Sequence, residues 1–486
     1  MNDFADSANL RFAGPGLDAL SLRARDELVR TAHPAADWLL EHHDASGARI
    51  LDVVIVGAGQ GGLAIAHALR RQRVNNILLI DQAPAGQEGV WVQYARMPTL
   101  RSPKEFTGPD LGAPSLTYQS WHEALFGDRD WQRLDRIPTQ HWHQYLQWFR
   151  EVVGLSVQND TRLVSVLPAP DERLELKLAG PSGERTVLTR KLVLATGQDG
   201  TGRWAVPPVF APLPVTQCAT TNADIDFESL RGRDVVVIGQ GASAADNAAE
   251  ALEAGARSVQ LLVRRKRLQR IQPYLWMTFD GFLRHIGDMP DEWRWRFLNH
   301  ALSLRESIPQ PTYDRMSCHP QFSVRCNTEV EVAKMKGSRV SLSTAQAEIE
   351  ADFVILGTGV EIDFTARPEL VAFADQIATW GDRYTPPAGQ ANPHLEKFAY
   401  HAPDASFMEK TPGCAPHLSL IHDFTIGTTM SFGPFGCSIN AMNIAVPRLV
   451  NGLTRGLFHQ DIERYWASFE AYDEPVFEPR PHDQGN

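Results

Sequence analysis

Apolar positions along the chain fall into two continuous β-branched runs, LDVVIV at residues 51–56 and DVVVI at 234–238. Runs of this length and make-up are those that a parallel sheet buries on both faces. Each passes through a glycine-rich turn into an alanine-rich stretch with helical spacing, LAIAHALRRQ after the first and AADNAAEALEAG after the second. Each helical stretch leads to another apolar run, NILLID ending at Asp81 and SVQLLV ending at Val263. The pattern predicts two strand–helix–strand units. TRLVSVLP and RLELKLA alternate with period two and predict a β-hairpin. LDALSLRARDELVRTA predicts one helix in a leader of residues 1–50; its apolar surface is too small to stand alone, so it packs on a domain. RWAVPPVFAPLP is proline-rich and reads as a linker. Residues 273–320, with Trp276, Trp293 and Trp295, predict a helical insertion longer than a crossover requires. It serves either as ordinary helical core or as the lid or wall of a substrate pocket.

The two turns carry the candidate chemistry. The first is Gly57-Ala58-Gly59-Gln60-Gly61-Gly62, with glycines at the spacing GxGxxG. In such a turn the first glycine bends the chain, the second lets backbone approach a pyrophosphate, and the third lets helix pack on strand. The helix N-terminus holds the negative charge, and an acid ending the second strand takes the ribose hydroxyls. Asp81, followed by Gln82, is in that place. The second turn is Gly239-Gln240-Gly241-Ala242-Ser243-Ala244, with a small residue for the third glycine. Its second strand ends in Arg264 and Arg265 instead of an acid. Arginines there favour a 2′-phosphate, and a solvated basic strand end is the other reading. The first turn therefore suits the ADP half of FAD and the second suits NADPH.

Composition narrows the class. At 486 residues the chain is long enough for two or three domains. A net charge of −11 argues against nucleic acid as a partner. No apolar run reaches the ~20 residues that span a bilayer, so no membrane partner is expected. The acidic start MNDFADSANLRFAGPG shows no secretion signal. The five cysteines, Cys218, Cys318, Cys326, Cys414 and Cys437, are scattered without a close pair. That suits reduced thiols in a cytoplasm, no disulfide framework and no metal site.

Several motifs in order make residues 50–460 resemble the class B flavoprotein monooxygenases, a group that includes flavin-containing and Baeyer–Villiger monooxygenases and N-hydroxylases. EGVW, with Val90 and Trp91, is similar to the group's GGxW segment near the flavin. LRSPKEF, residues 100–106, is similar to the segment that runs past the isoalloxazine. LVLATG, ending in Thr196 and Gly197, resembles the exit from the FAD domain, and GASAAD the GxGxSA nicotinamide motif. DFVILGTGVEIDF, with Gly359, resembles the hinge returning to the FAD domain. SFGPFGCSIN, with Ser438 and Asn440, precedes a helix whose N-terminus in this architecture faces the flavin pyrimidine. MPTLRSP, GFLRHIGDMPDEWRWRF and PRLV are shared with bacterial members of the group.

The resemblance implies an α/β fold of two Rossmann-like dinucleotide-binding domains, three-layer ββα, with the NADPH domain inserted into a discontinuous FAD domain. The implied limits are a helical leader at 1–50, FAD domain at 51–215 and 346–486, and NADPH domain at 216–345. It further implies that NADPH reduces FAD, that reduced FAD forms a C4a-(hydro)peroxyflavin with O₂, and that one oxygen atom passes to a small organic substrate. N-hydroxylation, S-oxidation and Baeyer–Villiger oxygenation all stay open, as does homo-oligomerisation. Two positions depart from the group. Thr220 stands where a fingerprint histidine is expected, and Arg101 where flavin-containing monooxygenases hold an asparagine. Arg101 is thus the candidate catalytic group, able to hold an oxygen anion or an anionic substrate, with a structural or phosphate contact as the other reading. Lys104 and Glu105 are expected to pair with each other, and His122, His141 and His143 to pack among tryptophans. Cys437 has no neighbouring cysteine, which disfavours a disulfide reductase. Two further functions stay open: an NADPH oxidase or reductase of the same fold with uncoupled oxygen chemistry, and a non-enzymatic flavin-binding redox sensor.

Overall fold

The computed structural model describes residues 15–32, 36–106, 108–436, 438–478 and 480. The first run, Leu51–Val56, is a central strand of a six-stranded sheet. The sheet order is Ile77–Ile80, Leu51–Val56, Gly183–Leu194, Arg173–Gly180, Arg162–Ala169, with Ile421–Asp423 also paired to Gly183–Leu194. The long strand Gly183–Leu194 serves two layers. Its C-terminal half lies parallel to Leu51–Val56 and Ile421–Asp423, and its N-terminal half runs antiparallel to Arg173–Gly180. The alternating hairpin forms as read, Arg162–Ala169 against Arg173–Gly180. Its Leu163, Leu174, Leu176 and Leu178 pack on Val54, Leu192 and Leu194. On the opposite face Val53, Ile55 and Val193 meet helices Gln60–Arg71 and Met442–Gln460. The leader helix, Pro15–Arg30, adds Leu17, Leu20 and Ala24 to this core.

The second unit repeats the design. Strands Phe322–Cys326, Ser258–Val263, Asp234–Ile238, Phe353–Leu356 and Cys218–Thr220 lie parallel in that order. Helix Ala242–Glu253 packs on one face, and the antiparallel strands Val330–Lys336, Arg339–Thr344 and Glu348–Ala351 pack on the other. The sequence limits lie at 345 and 346, and strand pairing runs past them. Glu348–Ala351 and Phe353–Leu356 belong to the second unit, and the return begins at Gly357. An apolar run such as FVIL announces a buried strand without saying in which sheet it is buried.

Two crossings join the units. Gly202–Trp204 leaves the first and Val360–Ile362 re-enters it, and the two pair antiparallel as one ribbon. The proline-rich linker then packs, with Phe210 and Leu213 buried against the second sheet. The insertion forms helices Pro273–Trp276, Asp280–His285, Asp291–Leu304 and Gln310–Ser317. Its Phe282, Ile286 and Trp295 pack on Trp380, Phe398 and Met430 of the first unit. Arg294 reinforces that seam, donating to the Tyr400 hydroxyl at 3.0 Å and lying over the Trp380 ring. Trp295 is fully buried, whereas Trp276 and Trp293 are about half exposed, so the insertion is docked on the first unit and leaves an apolar outer face. Among the described residues, no helix is long and apolar enough to cross a membrane.

Candidate functional site

The parallel strands of each sheet release their loops at one edge, where open α/β sheets bind ligands. Gly57 has φ +101°, and a Cβ on it would lie 2.4 Å from the carbonyl oxygen of Ala195. Gly239 has φ +118°, and its Cβ would lie 2.4 Å from the carbonyl oxygen of Gly357. Both first glycines are therefore required twice, by backbone angle and by the adjacent strand's exit. At the third position, Gly62 lies under the Gly57 carbonyl, whereas Ala244 is accommodated because Gly357 opposite has no side chain.

Helices Gln60–Arg71 and Ala242–Glu253 start at Gly59 and Gly241, and no side chain caps either. Uncapped first-turn N–H groups are what a phosphate takes up. Around the Cβ position of Gly241 there is nothing within 4 Å, so backbone approach is open from that side. At Gly59 the Cβ position is 3.4 Å from Gly89 Cα, which brings the EGVW loop over the first cradle.

Asp81 is 8 % exposed, and both its oxygens are engaged by backbone. Oδ2 accepts from Ala58 N at 2.7 Å and Oδ1 from Ala83 N at 2.8 Å. Burial raises its pKa against those two bonds. Gln82 beside it is exposed. A second acid stands close by. Glu88 accepts from Arg150 Nη1 at 2.8 Å, Asn159 Nδ2 at 2.6 Å and Gly86 N at 2.9 Å. With Ala58, Gly59, His143, Gln147 and Arg150 it lines a cavity of about 610 Å³. The sequence reading passed over Glu88, although a glutamate in place of the first glycine of GGxW was the available signal.

Other sequence candidates gather around the first cradle. Trp91 meets Trp142 edge-on at 6.5 Å, and Trp142 Nε1 donates to Gln60 Oε1 at 3.1 Å. Val90 opens a turn, its carbonyl taking the N–H of Ala95 at 3.0 Å. Thr196 follows Ala195, and its Oγ1 is buried without a hydrogen-bond partner. Gly197 has φ +68°. Ser438 and Asn440 belong to the turn that enters helix Met442–Gln460, and Asn440 Oδ1 is likewise a buried orphan. Gly61 abuts the Phe424 ring. Cys437 lies outside the described residues.

At the second cradle Ala242 and Ala244 are buried and Ser243 is exposed. Arg264 is exposed, with no hydrogen bond among the described residues, whereas Arg265 Nη2 donates to the Ser303 carbonyl at 2.6 Å. Gly359, at φ +83°, accepts from Ala205 N at the ribbon between the units.

Arg101 is placed between the units instead of inside the first. Its Nη2 donates to Asp246 Oδ2 at 2.5 Å, on the second cradle's helix. Thr220 ends an edge strand of the second sheet and donates to Asn222 Oδ1 at 2.7 Å. The pairing expected of Lys104 and Glu105 does not form. Lys104 donates to the carbonyls of Trp131 and Leu134, both at 2.6 Å, and covers the Trp131 ring, while Glu105 is exposed. Adjacent residues on an irregular segment point apart, and carbonyls closing a neighbouring helix are better placed acceptors. His122 and His141 pack among aromatic rings, and His143 bonds Gln147 at the cavity wall. Burial lowers the pKa of all three.

The geometry thus offers two uncapped helix starts, buried acceptors without partners and a walled cavity, and these fit two dinucleotides. A family model described as pyridine nucleotide-disulphide oxidoreductase matches residues 54–284. The FAD-dependent urate hydroxylase of Xanthomonas campestris pv. campestris is 37% identical over 455 residues, covering 93% of this chain and 95% of its own. The chain belongs to the flavin-dependent monooxygenases. Solved monooxygenases share the fold at low identity. The reduced ornithine hydroxylase of Pseudomonas aeruginosa has a TM-score of 0.66 at 16% identity, over 84% of this chain and 100% of that one. The FAD-bound cadaverine monooxygenase of Erwinia amylovora has a TM-score of 0.64 at 15% identity, over 84% and 95%. Among the described residues, Cys218, Cys318, Cys326 and Cys414 are free thiols. No metal-binding cluster occurs among the described residues.

Proposed function

We propose that this monooxygenase hydroxylates urate or a closely related oxidised purine, using FAD in the first cradle and NADPH in the second. The observation that carries the reading is the 37% identity to a urate hydroxylase across nearly the full length of both chains. FAD would supply acceptance of a hydride and activation of dioxygen. The chain's own part is to bind and to orient. The helix start at Gln60–Gly62 receives the FAD pyrophosphate, and Glu88, which lines the cavity beside it, receives the ribose hydroxyls. The uncapped start at Ala242–Ala244 receives the NADPH pyrophosphate, and Arg264 offers a free guanidinium to the 2′-phosphate.

The test is oxygen and NADPH consumption by the FAD-loaded protein with urate, with hydrogen peroxide measured in parallel. Consumption coupled to loss of urate's ultraviolet absorbance is expected. Urate-independent turnover that ends in peroxide would overturn the reading in favour of an oxidase. Turnover that ornithine, lysine or cadaverine couples and urate does not would move the substrate to amines.

A further inference from the structure

Two cations reach out of the first unit from one short stretch, residues 96–101. Arg96 Nη2 donates to the Ala223 carbonyl at 3.1 Å, and its guanidinium lies 5.0 Å from the Phe227 ring centre. Arg101 reaches Asp246 at 2.5 Å, and its other nitrogen is 3.7 Å from Glu306. The Arg101 backbone is itself pinned, because its carbonyl accepts from Arg136 Nη1 at 2.8 Å. Ala223, Phe227 and Asp246 all belong to the second unit. Arg101 belongs to LRSPKEF, read from sequence as passing the flavin, and residues 96–101 are also the seam on which the second unit rests.

Asp246 is the informative partner. Its side chain is 3 % exposed, on the helix whose first turn is the second cradle. A buried carboxylate costs several kcal/mol unless it is paired and hydrogen-bonded. From its own unit Asp246 receives one neutral hydrogen bond, Thr312 Oγ1 to Oδ1 at 3.0 Å. Its compensating charge, Arg101, comes from the other unit. Separating the units would take from Asp246 its cation, so the pair favours one docked arrangement.

We propose that Asp246 is a positioning residue. Through Arg101 it sets the orientation of the second cradle toward the first, so that the nicotinamide reaches the flavin. The proposal rests on the NADPH reading given above. It assigns Arg101 to alignment of the two cofactors in the reductive half-reaction, in place of contact with an oxygen anion.

The experiment compares the parent holoenzyme with Asp246→Asn, Arg101→Met, Arg101→Lys and the double variant Arg101→Met/Asp246→Asn. Anaerobic stopped-flow measures the limiting rate of flavin reduction and the apparent dissociation constant for NADPH. A displacement of an ångström between reacting groups costs up to ~100-fold in rate. Each single variant should therefore reduce flavin about 10- to 100-fold more slowly, with the dissociation constant unchanged within about threefold. The double variant should be no slower than the worse single, because one interaction is lost in all three. Arg101→Lys should recover part of the rate. Small-angle scattering of the FAD-loaded proteins without nucleotide gives a readout independent of coenzyme. Asp246→Asn and Arg101→Met should both broaden the inter-unit distance distribution. Parent-like reduction rates, or losses that multiply in the double variant, overturn the proposal. If the parent is not reduced by NADPH, the functional reading fails, and scattering decides: unchanged distributions then overturn the positioning role as well.

Discussion

Asp81 closes the first cradle from beneath, its Oδ2 taking the N–H of Ala58 at 2.7 Å while Oδ1 takes that of Ala83. Glu88, with Glu151, lines the adjoining cavity, and Asp81 does not. The two carboxylates should therefore separate by experiment. A hydrogen bond to a charged group contributes ~1.5–3 kcal/mol. Glu88→Gln should weaken FAD binding by about 10- to 100-fold in reconstitution of the apoprotein and, because Glu88 is paired with Arg150, should lower apoprotein stability as well. Asp81→Asn cannot accept both N–H groups and should lower apoprotein stability by about 1–3 kcal/mol in urea. Loss of FAD affinity in Asp81→Asn at full apoprotein stability would return the ribose to Asp81.

The second cradle separates folding from binding at neighbouring glycines. Gly239→Ala forces φ +118° on an L-residue and drives a methyl into the Gly357 carbonyl, so it should cost ~2 kcal/mol or more and reduce soluble yield. Gly241→Ala meets no atom within 4 Å and should change the thermal midpoint by no more than a few degrees. Its methyl points where a pyrophosphate would lie, so the NADPH dissociation constant should rise at least tenfold. Undiminished NADPH affinity in Gly241→Ala would show that the nucleotide lies elsewhere.

Arg264 and Arg265 were equivalent in sequence and are not in space. Arg264→Ala should raise the KM for NADPH about tenfold and leave that for NADH within twofold, as expected for a charge-assisted contact to a 2′-phosphate. Arg265→Ala should have the smaller effect, because Arg265 is engaged with the Ser303 carbonyl. Steady-state kinetics with both coenzymes checks this, and the reverse ranking would place the phosphate at Arg265.

Two buried histidines give the stability a pH slope. Burial pushes His67 down to about 3, with Arg70 and Arg71 adding to the shift, and His422 down to about 4, with Lys191 adding to it. Both are neutral when folded and bind a proton at ordinary pKa when unfolded. Stability is therefore full above the unfolded value near 6.5 and falls as pH drops below it, by up to ~1.4 kcal/mol per pH unit for each group. Urea midpoints at pH 7.5 and pH 5 should show the decline, and His67→Phe should flatten it. A slope unchanged in His67→Phe would mean that His67 is protonated in the folded state.

Much of the architecture was legible because it is local. The apolar runs at 51–56 and 234–238, each followed by glycines and a helix, announce their units within about thirty residues. Gly57 and Gly239 are forced by backbone angle, which neighbouring residues reveal. The hairpin at 162–180 shows its period in the side chains themselves.

What sequence left undecided are relations between distant segments. FVIL at 353–356 reads as a buried strand in either sheet, and only pairing with Asp234–Ile238 and Cys218–Thr220 places it in the second. Glu88 gains its partners from Arg150 and Asn159, more than sixty residues away, and Arg101 meets Asp246 across 145 positions. Local pattern records which residues must be buried or bent, because those demands act on single residues and their neighbours. Which charge answers which is set by packing of whole units, and only the tertiary structure decides it: a buried carboxylate such as Asp246 takes the cation that the fold brings within reach.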